Sequence, residues 1–454
     1  MILTRDKSFY KNLFLLAVPI ALQNLVTFSV GLADTTMIGS LGDTAVSGVY
    51  MGNMVQTLLQ VFSGGIEGAI LIFSAQYWGK RDLDSIRKIV AIGIRFSVIF
   101  GALLNLVCAV FPRFIIQLFT NQPDIVSTGT EYLAIVSFSY AFFCWTQALV
   151  AGMRSVEKAR VGLYVSLCSL AVDVSLNYVL IFGKLGLPAL GVRGAAIATL
   201  IARIIEAGIV TVYVFVADKK LSFRFSELTK TDKLLLRDFL RYGTPIMAGQ
   251  LVWASNLFAS SAIMGRFEEP VVAGLSLTNT LNNLCYVVMN GMAGAVGIIT
   301  GKTIGAGKED KMREYAKTVQ VIFLVLGLLT SGFLQLIRNP FFSLFKVSAE
   351  AIAEANKLLN VLSVTIIGTC YQCACLFGLV KSGGDISFVF KNDCIFIFLI
   401  VIPSALITAK FGLAPWIVFA CLKSDQILKC FVAAVKINRF RWMKNLTRDR
   451  SAEE

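Results

Sequence analysis

The chain has 454 residues, 56% of them hydrophobic and 15% charged, with a mean hydropathy of +0.73. A soluble domain does not sustain that composition, because its apolar surface would exceed what a core can hide, so the solvent is lipid. At about 20 residues per span the length holds roughly twelve helices and leaves no room for a separate soluble domain. The net charge of +14 would suit nucleic acid only if it formed one basic face, and it follows alternate loops instead.

In chain order, apolar runs cover residues 12–38, 46–78, 89–111, 131–152, 161–183, 193–217, 243–265, 272–301, 318–337, 358–380, 387–409 and 414–435, and each predicts one helix. Lys and Arg crowd one set of alternate loops: Arg5 to Lys11, Lys80 to Lys88, Arg154 to Arg160, Lys219 to Arg241, Lys302 to Lys317, Lys381 to Lys391 and the tail from Lys436. About thirty cations lie on that side and about seven on the other, so both termini and the central loop are expected in the cytoplasm. The first run is too long for a cleavable signal and has no small-residue cleavage site after it, so it reads as the first span. The ten cysteines are scattered through apolar runs without disulfide or zinc spacing, which points to packing.

One offset recurs along the chain. Pro19 and Pro245, Gly39 and Gly265, Gly48 and Gly274, Asn53 and Asn279, Gly65 and Gly291, Gly68 and Gly294, and Gly79 and Gly305 are all 226 residues apart. Each of these residue types has a special backbone or polar role in an apolar helix, so the gapless series marks a duplication. The division expected is an N-terminal half over 1–217, a cytoplasmic linker over 218–242 and a C-terminal half over 243–454. Both halves start on the same side, and such parallel repeats suit a carrier that opens alternately to either face.

Charge inside a bilayer costs about 2.5–3.5 kcal/mol per group on insertion scales, which makes intramembrane carboxylates functional candidates. Asp34 falls in the outer half of the first span, at 1.5 Å of rise per residue. Asp173 and Asn177 share a face of the fifth span at i, i+4, and Thr199 lies at similar depth on the sixth. Two carboxylates, an amide and a hydroxyl can coordinate Na⁺, or two neighbouring carboxylates can share a proton. The bland alternative is that Asp34 caps a broken helix while Asp173 and Asn177 bond across helices.

Glu67, within Gly64-Gly65-Ile66-Glu67-Gly68, either attracts a cationic substrate or pairs with a lysine. With Asn53, Asn279 and Gln250 it makes up the candidate lining of a substrate cleft. Arg203 and Glu206 read as a structural ion pair. Asp393, Lys423, Asp425 and Lys429 are expected to pair locally or to snorkel. Thr300-Gly301-Lys302-Thr303 imitates the end of a phosphate loop, but Val296 stands where the first glycine is required, so no ATP site is expected. There is no histidine, which leaves carboxylates as the intramembrane titrating groups, and no catalytic residue or cofactor is expected.

Ala17-Val18-Pro19 and Asp34 followed by Met37-Ile38-Gly39-Ser40-Leu41-Gly42 resemble the opening of the multidrug and toxic compound extrusion (MATE) family, bacterial type. Ala75-Gln76-Tyr77-Trp78-Gly79-Lys80, Gly191-Val192-Arg193-Gly194-Ala195-Ala196-Ile197-Ala198-Thr199, Lys381-Ser382-Gly383-Gly384-Asp385 and Arg441-Trp442-Met443-Lys444-Asn445 are similar to its later signatures. The resemblance spans nearly the whole chain. It implies an all-α membrane protein of twelve transmembrane helices, in two pseudo-symmetric six-helix lobes around a V-shaped cleft, exchanging substrate for H⁺ or Na⁺. By position Asp34 matches the family's acid of the first helix and Thr199 its hydroxyl of the sixth. Asp173 and Asn177 match the fifth-helix pair, with acid and amide exchanged relative to the common order. The acids some members carry on helices seven and ten have no counterpart in Thr244–Gly265 or Leu358–Val380, so coupling is expected in the N-terminal half alone.

The expected protein is a monomeric multi-pass exporter of the bacterial inner membrane, taking small cationic or amphipathic organic compounds. Its rivals are a flippase for a lipid-linked oligosaccharide, an exporter of one endogenous metabolite and an integral membrane enzyme. The flippase would want more cleft cations than Arg203 and Lys423, and the enzyme a clustered site that the sequence lacks.

Overall fold

The computed structural model describes residues 3–448 apart from Thr231, Leu344 and Lys346, and the regular structure among them is helical with no strand. With no water to satisfy the backbone in lipid, a chain this apolar closes its hydrogen bonds within helices. Among the described residues eleven helices are long and apolar enough to cross a bilayer: α1 Lys7–Gly39, α2 Asp43–Lys80, α3 Leu83–Val110, α4 Pro123–Ser155, α5 Arg160–Phe182, α6 Gly191–Ala217, α7 Lys233–Met264, α8 Glu269–Gly305, α9 Glu309–Phe342, α10 Ala349–Lys381 and α11 Ile386–Lys410.

The twelfth apolar run departs from the single helix expected over 414–435. It folds as α12 (Pro415–Leu422) and α13 (Ser424–Asn438), broken at Lys423. The run Lys423-Ser424-Asp425 is polar, and the Ser424 hydroxyl donates to the Cys421 carbonyl at 2.7 Å, drawing off an acceptor of the helix ladder. Thr300 to Thr303 lies inside α8, so the sequence that imitates a phosphate loop is a helix.

The chain forms two compact units. One holds the residues through Ala21 together with Ala248 onward; the other holds Leu22–Met247. These limits differ from the sequence halves 1–217 and 243–454, because the start of α1 packs with the second half and residues 243–247 with the first. The crossing points Ala21 and Met247 obey the same 226-residue offset, two residues beyond the prolines inside α1 and α7. Glycine explains the exchange. A Cβ on Gly65 of α2 would stand 2.8 Å from the Met247 Cα, and one on its repeat mate Gly291 of α8 would stand 2.7 Å from the Ala21 backbone nitrogen. Each bare position lets its helix seat directly on the opposite half's first helix.

The stretch 218–242 is more than a linker: Leu221 and Phe223 are buried, Asp218 pairs with Lys158 and accepts the Leu221 N–H at 2.7 Å, and α7 begins at Lys233.

Two of the signature segments meet at the chain's end. Trp442 is fully buried against Gly383, where a Cβ would fall 2.3 Å from its ring, and the Lys444 N–H donates to the Gly383 carbonyl at 2.7 Å. Gly384 adopts φ +97°, which a side chain would strain. Asp385 then accepts from Lys436 at 2.6 Å and Lys444 at 2.7 Å. Burial pushes its carboxyl up, but the two ammonium groups outweigh that and hold it below the usual carboxylate range. A carboxyl lowered in the folded state stabilises above its unfolded value, about pH 4, and that contribution fades as pH falls through the folded value. Asp385→Asn should therefore cost about 1–2 kcal/mol near pH 7, discounted for the half-exposed Lys444. Thermal unfolding in detergent should show the gap to wild type closing as pH is taken below about 4; a gap independent of pH would assign the loss to something other than the ion pairs.

Candidate functional site

The predicted acids converge within the unit Leu22–Met247. Asp34 comes from α1, Asp173 and Asn177 from successive turns of α5, and Thr199 from α6. One amide nitrogen ties the acids together: Asn177 Nδ2 donates to Asp34 Oδ1 at 2.7 Å and to Asp173 Oδ2 at 3.1 Å. The Thr199 hydroxyl stands beside Asp173, and the two carboxylates stand beside each other. Asp173 and Asn177 are buried, at 3% and 1% exposure, while Asp34 is half-buried. Asn177 Oδ1, also buried, has no hydrogen-bond partner.

Close packing of α5 on α6 makes this geometry possible. A Cβ on Gly194 would lie 2.6 Å from the Leu180 carbonyl oxygen, one turn beyond Asn177. Around the acids the structure adds residues that sequence reasoning missed or placed elsewhere. Arg203 pairs with Glu206 at 2.6 Å, as expected, and lies over the Phe143 ring. Its charge also reaches both Asp34 and Asp173, a role its spacing from Thr199 could have suggested. Tyr132 lies in the field of the same two acids and donates to Asn53 Oδ1 at 3.3 Å. Nothing in the local pattern of α4 marked it.

Charge balance states what this cluster can do. With all groups ionised, Asp34, Asp173 and Glu206 outnumber Arg203 by two negative charges in a low-dielectric setting. Such an excess is relieved by a proton shared between the carboxylates or by a hard cation held by oxygen. Two carboxylates, the free Asn177 oxygen and the Thr199 hydroxyl supply the ligand set for either. Among the described residues no group of three or more His, Cys, Asp or Glu side chains is arranged to hold a metal ion.

The other candidates separate. Glu67 accepts from Ser63 at 3.2 Å and faces the charge of Arg154, which itself donates to Gln23 at 2.7 Å. The cation it faces is thus an arginine, where one of the two sequence readings had a lysine. Asn279 is exposed on α8 and Gln250 half-buried on α7, both in the other unit. There, Asp393, Asp425 and Lys429 do pair locally, and Lys429 bridges the two acids.

A family model described as MatE matches residues 19–179 and again residues 245–407, one match to each half of the duplication. The chain belongs to the MATE family. Among its relatives, a probable multidrug resistance protein NorM of Rhizobium meliloti is 27% identical over 70% of this chain and 68% of its own. A probable NorM of Halalkalibacterium halodurans is 24% identical over 88% of each. Solved structures agree on the fold. The outward-facing form of a multidrug resistance MATE family transporter superposes with a TM-score of 0.85 at 18% identity, over 97% of this chain and 99% of that one. The bent form of the Vibrio cholerae MATE transporter VcmN gives 0.86 at 17%, over the same shares. This MATE chain is accordingly an all-helical, multi-pass membrane transporter.

Proposed function

We propose that this MATE transporter is a secondary active antiporter of the bacterial inner membrane, with both termini in the cytoplasm. It exports small organic compounds, cationic or amphipathic, in exchange for H⁺ or Na⁺ by alternating access, and it works as a monomer. Asp34, Asp173, Asn177 and Thr199 hold the coupling ion, and Glu67 and Asn53 of the same unit contribute to the substrate path. The observation that carries the reading is the single Asn177 amide donating to two carboxylates from different helices. An arrangement with excess negative charge and a spare buried oxygen is suited to gaining and losing a cation, and an ion that moves α1 relative to α5 can drive a carrier. The multidrug resistance names of the relatives support organic substrates.

The test is efflux of a fluorescent organic cation such as ethidium from proteoliposomes, under an imposed pH gradient or an imposed Na⁺ gradient. Efflux driven by one gradient identifies the ion. Silence under both would sink the multidrug reading and favour one endogenous or lipid-linked substrate.

A further inference from the structure

The 226-residue offset continues past the point where the sequence made it obvious. Lys184-Leu185-Gly186-Leu187 corresponds to Lys410-Phe411-Gly412-Leu413, and Gly186 and Gly412 both take positive φ, +80° and +67°. Carried forward without a gap, the offset maps Thr199 onto Asp425, Arg203 onto Lys429 and Glu206 onto Val432. Two α6 positions of the coupling cluster, Thr199 and Arg203, therefore have polar counterparts in the other unit, with the basic residue retained and its acidic partner three residues on replaced by valine, while Asp34, Asp173 and Asn177 fall on Ser260, Leu399 and Pro403.

That replacement changes where the cation points. Arg203 is engaged by Glu206 at 2.6 Å, and among the described residues no side-chain cation forms a salt bridge with Asp34 or Asp173. Lys429 has no such neighbour, and its ammonium stands 2.8 Å from Asp393 Oδ1 and 3.0 Å from Asp425 Oδ2. The Lys429 and Asp425 side chains are 5% and 4% exposed, and Phe396 covers the ammonium at 5.9 Å. Lys381 and Lys423 act on Asp393 and Asp425 through space, and Tyr286 lies in the field of Asp425. Asp425 Oδ1 is buried with no hydrogen-bond partner, as Asn177 Oδ1 is in the other cluster. Two buried carboxylates with a spare oxygen are a cage for one cation, and the cation present is the chain's own.

We propose that Lys429 is a tethered cation filling a monovalent-cation site built from Asp393 and Asp425, so that the place of an exchangeable ion in this unit is taken by the chain's own side chain. The cage chemistry stands whether or not the transport reading above does. Removing the ammonium should open the site to Na⁺ or to a proton.

The experiment compares thermal unfolding of the purified full-length protein in detergent, in NaCl and in choline chloride at equal ionic strength, across a pH series. Wild type and Asp425→Asn should respond to Na⁺ alike, because the cage holds no exchangeable ion. Lys429→Met should gain a Na⁺-dependent rise in midpoint of about 2 °C or more beyond wild type, as expected when a ligand binds only the folded state. If a proton fills the cage instead, the gain appears in choline as a midpoint that climbs when pH is lowered. Adding Asp425→Asn to Lys429→Met should erase either gain. Lys429→Gln, whose amide still donates to a carboxylate without carrying charge, serves if the methionine variant does not fold. A neutral variant with neither response overturns the proposal, and so does a wild-type Na⁺ response that Asp425→Asn removes.

Discussion

Asp34→Asn should yield a folded transporter in which the coupling of efflux to the ion gradient is largely lost. The substitution keeps the size of the side chain and leaves the Asn177 amide an oxygen to donate to in place of Asp34 Oδ1, now 2.7 Å away, so packing of α1 on α5 persists. What it removes is one of the two charges in excess. The remaining Asp173 already has the Asn177 amide at 3.1 Å and the field of Arg203, and no longer demands a cation on the same terms. Coupling between two ligands is typically worth 1–3 kcal/mol, so gradient-driven efflux should fall by about 5–150-fold while the unfolding midpoint stays near wild type. A well-folded mutant that exports normally under the gradient would remove Asp34 from the mechanism.

Gly194→Ala should damage both stability and transport through a single methyl group. The new Cβ would fall 2.6 Å from the Leu180 carbonyl oxygen and 2.7 Å from its carbon. These are backbone atoms that cannot rotate away, so α6 must back off from α5. Overpacking of this kind costs about 1–3 kcal/mol. The displacement also draws Thr199 and Arg203 away from Asp173 and Asn177, so efflux should drop even under conditions where the protein remains folded. Gly208 on the same helix supplies the control, since a Cβ there meets nothing within 4 Å. Gly208→Ala should be neutral or raise the midpoint slightly through better helix propensity. Equal effects at the two positions, read by thermal unfolding in detergent and by proteoliposome efflux, would show that close approach at Gly194 does not matter.

The candidate acids were legible in the sequence because low dielectric makes each one conspicuous and helical spacing assigns it a face. Asp34, Asp173, Asn177 and Thr199 were brought to similar depth by rise per residue alone; the structure joins the two acids through Asn177 and sets Thr199 beside Asp173. Tyr132 and the reach of Arg203 toward both acids were hidden. Both depend on side-chain direction across α4, α5 and α6, which no pattern within one helix encodes. The break of the last span at Lys423 was similarly masked, because its apolar content averages to that of an intact helix while three consecutive polar residues decide its backbone.

By itself the sequence determined that the protein lives in lipid, that it is all helix and that it is a duplication. Composition, hydrophobic run length and the spacing of glycine and proline are local or periodic quantities, and a bilayer leaves few ways to satisfy them. Only the tertiary structure decided that the first turns of α1 and α7 change units, because that turns on which bare glycine surface, Gly65 or Gly291, meets which backbone. It also decided the fate of two basic residues at equivalent positions: Arg203 is held by Glu206, while Lys429, with Val432 in that place, is left to bridge Asp393 and Asp425. Which acid a long, flexible cation reaches is set by distances between helices, and those exist only after the helices have packed.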